Sequence, residues 1–191
     1  MNVQQCDGQS DEALMERVPG ERDVFGCIIE RYEAKLRRYV RRLMPGLGEE
    51  TDDVLQNIFI KAYVNARAFD ASLSFSSWIY RVAHNEAVSW LRRKKARPDV
   101  VELGDDDFQT FAESVAEAGE DKEATLTKDA VQRVLAEMSE RYRTVLVLKF
   151  LEGKSYQEMC DILEVPGGTV ATLIHRAKKE FSSMYHTHHA K

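Results

Sequence analysis

The sequence predicts an all-α protein with two small helical domains that a flexible acidic linker joins. Apolar residues recur at helical spacing in both halves of the chain, glycine and proline separate the periodic stretches, and acidic residues are concentrated in a central segment. A length of 191 residues suits one or two domains of this kind. We predict an N-terminal extension at 1–21, a first domain at 22–97, the linker at 98–124, a second domain at 125–185 and a tail at 186–191.

Composition and charge exclude several classes of protein. No apolar run reaches the ~18 residues of a membrane span, and residues 1–22 lack the basic and apolar regions of a signal peptide. We therefore expect a cytoplasmic protein without membrane insertion. The cysteines Cys6, Cys27 and Cys160 are far apart and form no CxxC pair, so neither a disulfide framework nor a zinc finger is indicated. The formal net charge of −5 arises in the linker, which leaves a basic domain on either side.

The first domain is predicted to contain three helices. Ahead of it, Ser10 is expected to cap a short helix that carries Leu14 and Met15. The first of the three helices has a continuous apolar stripe and stops at a glycine- and proline-rich segment, 45–48. The three predicted helices run over 22–44, 52–68 and 78–97, and a loop occupies 69–77.

The second of these helices has two occupied faces. One apolar face is predicted to pack in the core, and a mixture of polar and apolar residues lies on the opposite face. A helix that is apolar nearly all round is either fully buried or covered by a partner, and the mixed composition here favours a partner. The residues of this second face are Asp53, Gln56, Asn57 and Ile60, beside Val64.

The third helix combines aromatic with basic residues. It contains Trp78 and Trp90 and ends in a basic cluster that includes Arg92 and Arg93. Aromatic rings stack on unpaired bases while cations hold phosphates, so this combination suits single-stranded nucleic acid. The alternative is that the tryptophans belong to the core, which would leave the terminal basic cluster unexplained.

In the second domain, two predicted helices over 125–153 lead into a predicted helix-turn-helix at 155–181. Ser155 and Glu158 form a capping box, and Pro166 separates the last two helices. An apolar inward face then opposes a polar and basic outward face, as in a helix that reads the DNA major groove, although an ordinary helical hairpin gives a similar pattern. The inward residues are Val170, Ile174, Ala177 and Phe181, and the outward residues are Thr172, His175, Arg176 and Lys179.

Three stretches of the chain form a combined pattern. They are DDVLQNIFIKAY at 52–63, FSSWIYRVAHNEAVSWLRR at 75–93 and YRTVLVLKFLEGKSYQEMCDILEVPGGTVATLIHRAKKEF at 142–181. In this order, and across a variable linker, they resemble the bacterial sigma factors, specifically the small extracytoplasmic-function (ECF) group. The resemblance spans 22–181, nearly the whole chain.

The resemblance implies a set of binding surfaces. The first domain would be sigma region 2, which binds the clamp helices of the RNA polymerase large subunit and opens the −10 element of a promoter. The second would be region 4, which reads the −35 element and lies at the polymerase flap. The implied contacts are Asp53, Gln56, Asn57 and Ile60 to core polymerase; Phe75, Trp78, Tyr80, Arg81, Asn85, Arg92 and Arg93 to the −10 element; and Gly168, Thr169, Thr172, His175, Arg176 and Lys179 to the −35 element.

The chain departs from the family pattern at the start of the recognition helix. Where the family has GTVKSR, this chain has Ala171 and Leu173 in place of the lysine and the arginine. Losing phosphate contacts weakens binding. Each lost contact also lowers the slope of log K against log salt concentration by about one unit. Gly167 and Gly168 partly compensate, because they let backbone N–H groups approach a phosphate. We predict that the isolated second domain binds −35 DNA weakly and with low salt sensitivity.

Two other classes of function compete with this one. A stand-alone helix-turn-helix regulator would need a sensing or dimerising domain, but the first half has a strand-binding pattern instead. An enzyme would need a phosphate loop, a metal cluster or a nucleophile–base pair; the sequence has none, and His84 and His175 are isolated on helix faces.

The terminal HTHHAK either binds a metal or is a frayed end. We expect an initiation subunit without catalysis or cofactor, controlled by an anti-sigma factor.

Overall fold

The chain folds into helices throughout the part that the structure, a computed structural model, describes. That part comprises residues 6, 8–45, 48, 50–94, 108–109, 111–112 and 127–189. The molecule divides into two compact units, Met1–Val40 with Gly48–Lys95 and Arg41–Leu47 with Ala96–Lys191. The predicted all-α class with two helical domains is confirmed. In the described ranges no helix is long and apolar enough to span a bilayer.

The described residues of the first half of the chain form four α-helices. Short 3-10 turns at Arg22–Val24 and Ala66–Ala68 flank the second and third of them. The predicted helices are all present, although their ends differ by a few residues from the expected positions. The helices are α1 (Asp11–Arg17), α2 (Phe25–Leu43), α3 (Glu50–Val64) and α4 (Phe75–Lys94).

Helix α1 is docked on α2. The Ser10 hydroxyl accepts a hydrogen bond from the Ala13 amide at 3.2 Å, which confirms the predicted cap. Leu14 and Met15 are fully buried. The carboxylate that follows the cap, Asp11, accepts hydrogen bonds from Arg31 and Tyr32 of α2, each at 2.5 Å. The N-terminal extension therefore has its own packed core residues and polar anchors.

Helix α4 begins three residues before the predicted start, at Phe75 instead of Trp78. The Ser74 hydroxyl accepts from the Ser77 amide at 3.3 Å, and the Glu12 carboxylate accepts from the Phe75 amide at 2.9 Å. The first turn of a helix has unsatisfied amide donors, and these two acceptors satisfy part of that demand. The second acceptor comes from α1, so local sequence alone could not indicate it.

Cys6 and Cys27 form a disulfide, with their Cα atoms 6.3 Å apart. The sequence-based expectation of no disulfide was wrong for this pair. The two residues are separated by 21 positions, and hydrogen bonds from Arg31 of α2 to Cys6, Gln9 and Asp11 hold the N-terminal residues beside α2. Cys160 is a free thiol.

The second unit contains two helices that lead into the helix-turn-helix. Buried Arg143 donates to the carbonyl oxygens of Leu135 at 3.3 Å and Ala136 at 3.0 Å, so it caps the end of the preceding helix. Burial lowers the pKa of Arg143 to about 10. The elements are α5 (Lys128–Glu137), α6 (Glu140–Leu146), a π-helical turn (Val147–Leu151), α7 (Tyr156–Leu163) and α8 (Gly167–His189).

Parts of the predicted linker and of the predicted tail are ordered. Most of the predicted linker lies outside the described residues, but Phe111 within it is fully buried. Its ring packs edge-on against Phe150, at 6.1 Å between centroids, and against Phe181, at 5.2 Å. The linker is thus anchored at this point. Helix α8 continues to His189, so the predicted tail at 186–191 begins as helix and not as a frayed end.

Candidate nucleic-acid interface

The helix-turn-helix has the predicted caps. The Glu158 amide donates to the Ser155 hydroxyl at 3.2 Å, and the Ser155 amide donates to the Glu158 carboxylate at 2.9 Å, which completes the capping box. Helix α7 ends on Glu164 in the left-handed conformation, with φ of 54°. The carbonyl of Pro166 then accepts the first backbone bonds of α8, from Thr169 at 2.8 Å and Val170 at 3.2 Å.

Helix α8 presents a polar and basic face to solvent. The predicted inward residues Val170, Ile174, Ala177 and Phe181 are all buried. The outward residues Thr172, His175, Arg176 and Lys179 are all exposed, as is Gly168, and Thr169 is half-buried.

The positions that depart from the family pattern have different surroundings. Ala171 is exposed, so its missing cation leaves a gap in the outward face. Leu173 is only 6 % exposed, so it belongs to the apolar packing of α8. The Thr172 hydroxyl donates to the Gly168 carbonyl at 2.8 Å, and no atom lies within 4 Å of where a Cβ of Gly168 would be. The start of α8 is therefore sterically open on this side.

The outer face of α3, defined here as Asp53, Gln56, Asn57, Ile60 and Val64, is exposed along its length. Ile60 is 52 % and Val64 is 71 % exposed, which is unusual for large apolar side chains on a helix whose opposite face is buried. Val54, Leu55 and Ile58 form that buried face. The buried face and the mixed face opposite it are both present as the sequence predicted, and a partner on the mixed face stays a prediction.

A cleft of about 340 Å³ lies between the end of α3 and helix α4. This volume falls within the usual range of small-ligand sites, about 300–1,000 Å³. The cleft offers an indole ring, two amides and an ammonium group, which can stack on a base, bond to its edge and hold a phosphate respectively. We call it the α4 cleft; its lining residues are Lys61, Asn65, Ala68, Trp78, Val82 and Asn85.

The predicted −10 residues are only partly gathered at this cleft. Trp78 and Asn85 line it, and both tryptophans of α4, Trp78 and Trp90, are half-buried. Phe75 and Tyr80 are instead core residues, at 0 % and 3 % exposure, so neither ring is available to a DNA base in this conformation. Arg81 is half-buried, and Arg92 and Arg93 are exposed.

The indole of Trp78 is positioned by other aromatic rings. Its centroid lies 5.3 Å from Phe69 and 5.6 Å from Phe75, and these two phenylalanines contact each other at 5.5 Å. Such aromatic clusters restrict ring orientation and contribute about 0.5–1.5 kcal/mol per pair beyond burial. The buried Phe75 therefore supports the cleft from behind.

Lys61 and Asn65 were not among the sequence-predicted site residues. They are four positions apart on one side of α3, which is the signal that could have identified them. The side-chain amide of Asn65 donates to the Lys61 carbonyl at 2.8 Å, so Asn65 also closes the end of the helix. The approach of this end of α3 to α4 brings both residues to the cleft.

Glu86 is the buried centre of an ion-pair network beside the cleft. Its carboxylate is 3 % exposed and accepts from Lys61 on one oxygen and from Arg93, at 3.2 Å, on the other. Burial raises the pKa of Glu86, but hydrogen bonds and Coulomb attraction from Lys61 and Arg93 outweigh it, so the pKa lies below its ordinary value. The network holds the Lys61 ammonium at the rim of the α4 cleft.

The described parts of the chain contain no cluster of metal-binding residues. No group of three or more histidine, cysteine, aspartate or glutamate residues is arranged there to hold a metal ion. His175 is exposed, and His84 is half-buried with its Nδ1 3.4 Å from the Tyr39 hydroxyl. The side chains of His188 and His189 lie outside the described part.

Two family models match the chain. Residues 28–97 match sigma-70 region 2, and residues 128–181 match sigma-70, region 4. The chain is 33 % identical to the ECF RNA polymerase sigma factor SigW of Bacillus subtilis, over 84 % of its own length and 88 % of that protein. This chain belongs to the ECF sigma factors of the sigma-70 family. The ECF sigma-E factor of Escherichia coli K12 is 31 % identical, over 89 % of this sigma factor and 91 % of that protein.

Two solved structures share the fold of this sigma factor. CnrH, in complex with the cytosolic domain of CnrY, superposes with a TM-score of 0.66 and 22 % identity, covering 92 % of this chain and 97 % of CnrH. The sigma factor RpoE of Bartonella quintana, in complex with the anti-sigma factor NepR, gives a TM-score of 0.60 and 17 % identity, covering 84 % and 95 %.

Proposed function

We propose that this sigma factor is a dissociable initiation subunit without catalysis of its own. It joins core RNA polymerase in the cytoplasm, directs it to promoters through −35 and −10 elements, and melts the −10 region. One observation carries this proposal: the first unit has two adjacent features, the exposed outer face of α3 and the α4 cleft, which is large enough for a base.

The outer face of α3 is the proposed contact with the clamp helices of the polymerase large subunit. Burying Ile60 or Val64 against a partner removes large apolar side chains from water, which is worth about 1.5–3 kcal/mol each. Asp53, Gln56 and Asn57 add polar groups around them, as in interfaces with an apolar centre and a polar rim. The second unit is proposed to contact the polymerase flap.

The α4 cleft is the proposed site for an unpaired base of the −10 element. Trp78 offers a stacking surface, Asn65 and Asn85 offer amide donors and acceptors, and Lys61 offers a cation to the adjacent phosphate. Removing a base from a duplex costs a few kcal/mol, about what stacking and phosphate contacts return. Arg92 and Arg93, exposed near the end of α4, extend the proposed path of the strand.

The outward face of α8 is the proposed reader of the −35 element. Thr172, His175, Arg176 and Lys179 share one exposed side, where hydroxyl, imidazole and cationic groups can bond to base edges and phosphates in the major groove. The open start of the helix at Gly168 gives backbone amides access to a phosphate. An anti-sigma factor is a further proposed partner, and it would compete with polymerase for the exposed outer face of α3.

The polymerase contact is tested by Ile60→Asp, which places a charge at the centre of the proposed interface. We expect affinity for core polymerase to fall at least about tenfold, the equivalent of about 1.4 kcal/mol. Arg67→Asp changes an exposed residue outside the outer face of α3 and serves as the control. Unchanged affinity of the Ile60 variant would contradict the assignment of this face.

The −10 contact is tested with a forked DNA whose −10 strand is unpaired, bound by the complex of core polymerase and this protein. Asn85→Ala should weaken binding by about tenfold, whereas Ser89→Ala, at an exposed position on the same helix, should not. Equal binding by both variants would contradict the proposed cleft. Tight, specific binding to duplex DNA without polymerase would favour the alternative, a stand-alone helix-turn-helix regulator.

A further inference from the structure

We propose that Cys6 and Cys27 form a reversible redox site, which hydrogen peroxide closes to a disulfide and a dithiol reductant opens. Closing the bond locks α1 onto α2, and α1 in turn holds the start of α4. The inference rests on the proposed function in two respects: the −10 role of α4, and the reducing compartment in which a protein working beside RNA polymerase is kept. There a disulfide is a transient, regulatory state and not a permanent one.

The two cysteines are placed so that a bond can form and break without rearranging α2. Their Cα atoms are 6.3 Å apart, within the usual range of about 4.4–6.8 Å. Cys6 is 6 % and Cys27 is 9 % exposed, so the bonded pair is shielded from solvent. Cys27 lies on the rigid helix α2, whereas Cys6 lies ahead of α1, in the segment that has to lift for the pair to be reached.

Arg31 connects the redox site to α1. Its guanidinium donates to the Cys6 carbonyl at 2.7 Å, to the Gln9 carbonyl at 3.0 Å and to the Asp11 carboxylate at 2.5 Å. The guanidinium therefore ties the backbone at Cys6 to α2 and, through Asp11, to the start of α1. The same contacts hold Cys6, Gln9 and Asp11 against α2, so a covalent bond at Cys6 adds to an existing non-covalent anchor.

Helix α1 transmits the state of the redox site to the proposed −10 helix. Glu12 accepts a hydrogen bond from the Phe75 amide at 2.9 Å, and Phe75 packs directly on Trp78. When α1 is docked, the first turn of α4 is capped and the Trp78 ring is supported at the α4 cleft. When the disulfide is reduced, α1 detaches more often and this cap is lost with it.

The chemistry balances with peroxide as the oxidant. The Cys6 thiolate attacks one oxygen of hydrogen peroxide and becomes a sulfenic acid, while the other oxygen leaves as hydroxide and is protonated to water. The Cys27 thiol then attacks the Cys6 sulfur, a second water leaves, and the disulfide forms; overall, two thiols and one peroxide give one disulfide and two waters. A dithiol reductant reverses the change by exchange and becomes a disulfide itself.

The sulfur chemistry is tested on the full-length protein by counting reactive thiols in the unfolded state. The reduced protein should label at all three cysteines, and the peroxide-treated protein at Cys160 alone, with the loss of two hydrogen atoms in its mass. The Cys160→Ser variant keeps only Cys6 and Cys27, and after peroxide neither should label. The Cys27→Ser variant should not form the internal disulfide. Three labelled thiols after peroxide, or a disulfide between two chains, would overturn the proposal.

The lock is tested by hydrogen exchange and by binding of forked −10 DNA in complex with core polymerase. Amides of 11–17 should exchange at least about tenfold more slowly in oxidised than in reduced wild-type protein, and the Cys6→Ser variant should not respond to peroxide. Oxidation should also tighten fork binding by about threefold or more. Equal exchange in the two states would refute the lock. If oxidation slows exchange but neither the oxidised nor the reduced protein binds the fork, the proposed −10 function is refuted and the lock is not. The two claims can be separated because the exchange measurement needs neither polymerase nor DNA.

Discussion

Removing the two cations around Glu86 should destabilise the first unit more than removing Glu86 itself. The carboxylate is 3 % exposed, whereas the side chains of Lys61 and Arg93 are 54 % and 63 % exposed. In Glu86→Gln the two cations return to water at little cost, because exposed ion pairs contribute only about 0–1 kcal/mol. In the double variant Lys61→Met, Arg93→Met, a carboxylate remains buried without a counter-charge.

The size of the second effect is limited by protonation. A buried carboxylate without a partner can take up a proton, and protonating a carboxyl of ordinary pKa 4.5 costs about 1.4 kcal/mol for each pH unit above that value. The protonation penalty at pH 7 is therefore at most about 3.4 kcal/mol, and we expect a total loss of about 3 kcal/mol or more, because the wild-type ion pairs are lost as well. Each single variant should lose less, since the other cation still faces the carboxylate.

The contribution of Glu86 to stability should change with pH in opposite directions in the wild type and in the double methionine variant. In the wild type the pKa of Glu86 is lowered by its partners, so its contribution is present above pH 4.5 and is lost as the pH falls through the lower folded value. In the double variant burial acts alone and raises the pKa of Glu86. The penalty of that variant therefore grows as the pH rises above 4.5, and it should shrink to below about 1 kcal/mol at pH 5.

The assay is urea unfolding followed by tryptophan fluorescence. Both tryptophans, Trp78 and Trp90, lie on α4, so the signal reports the first unit. Wild type, Glu86→Gln, the double methionine variant and the triple variant form a cycle that isolates the coupling. The reasoning would be refuted if the double variant lost less than about 1 kcal/mol of unfolding free energy at pH 7. It would also be refuted if the two methionine substitutions cost as much in Glu86→Gln protein as they do in the wild type.

Three further variants and one titration follow from the structure. Glu164→Gly should stabilise the second unit by about 0.5–1 kcal/mol in thermal unfolding, because φ of 54° suits glycine, while Glu164→Ala should give no such gain. Phe111→Ala should cost the same unit about 3 kcal/mol, as its ring is fully buried, and half-buried Phe108→Ala should cost clearly less. Tyr32→Phe should cost the first unit about 2 kcal/mol in urea unfolding, because the hydroxyl donates to the Asp11 carboxylate at 2.5 Å. A salt titration of −35 DNA binding by the isolated second domain should give weak affinity and a shallow dependence of log K on log salt concentration, and a steep dependence would contradict the effect assigned to the missing cation at Ala171.

The helix-turn-helix could be predicted in detail because its determinants are local. The Ser155–Glu158 capping box spans three positions, and the inward face of α8 repeats within single helical turns. The outer face of α3 could be identified for the same reason. These features need no knowledge of which distant segments come together.

Two features that the sequence did not indicate depend on distant contacts, and two others were hidden by local composition and residue type. The start of α4 depends on Glu12, which is 63 residues from Phe75, and the disulfide joins cysteines that are 21 residues apart. Phe111 looked like part of a polar linker because its acidic neighbours dominate the local composition. Tyr80 has the polar–aromatic character of a DNA-binding residue, but the helical phase of α4 turns it into the core against Tyr39, at 5.1 Å between ring centroids.

Transcription with purified core RNA polymerase tests the central claim most directly. Core polymerase would transcribe bacterial genomic DNA with and without this protein, and the 5′ ends of the RNA would be mapped. We expect new start sites, preceded by shared −35 and −10 elements, and we expect Ile60→Asp to abolish them while Arg67→Asp retains them. No new start sites with the wild-type protein, despite its stable association with core polymerase, would contradict the account.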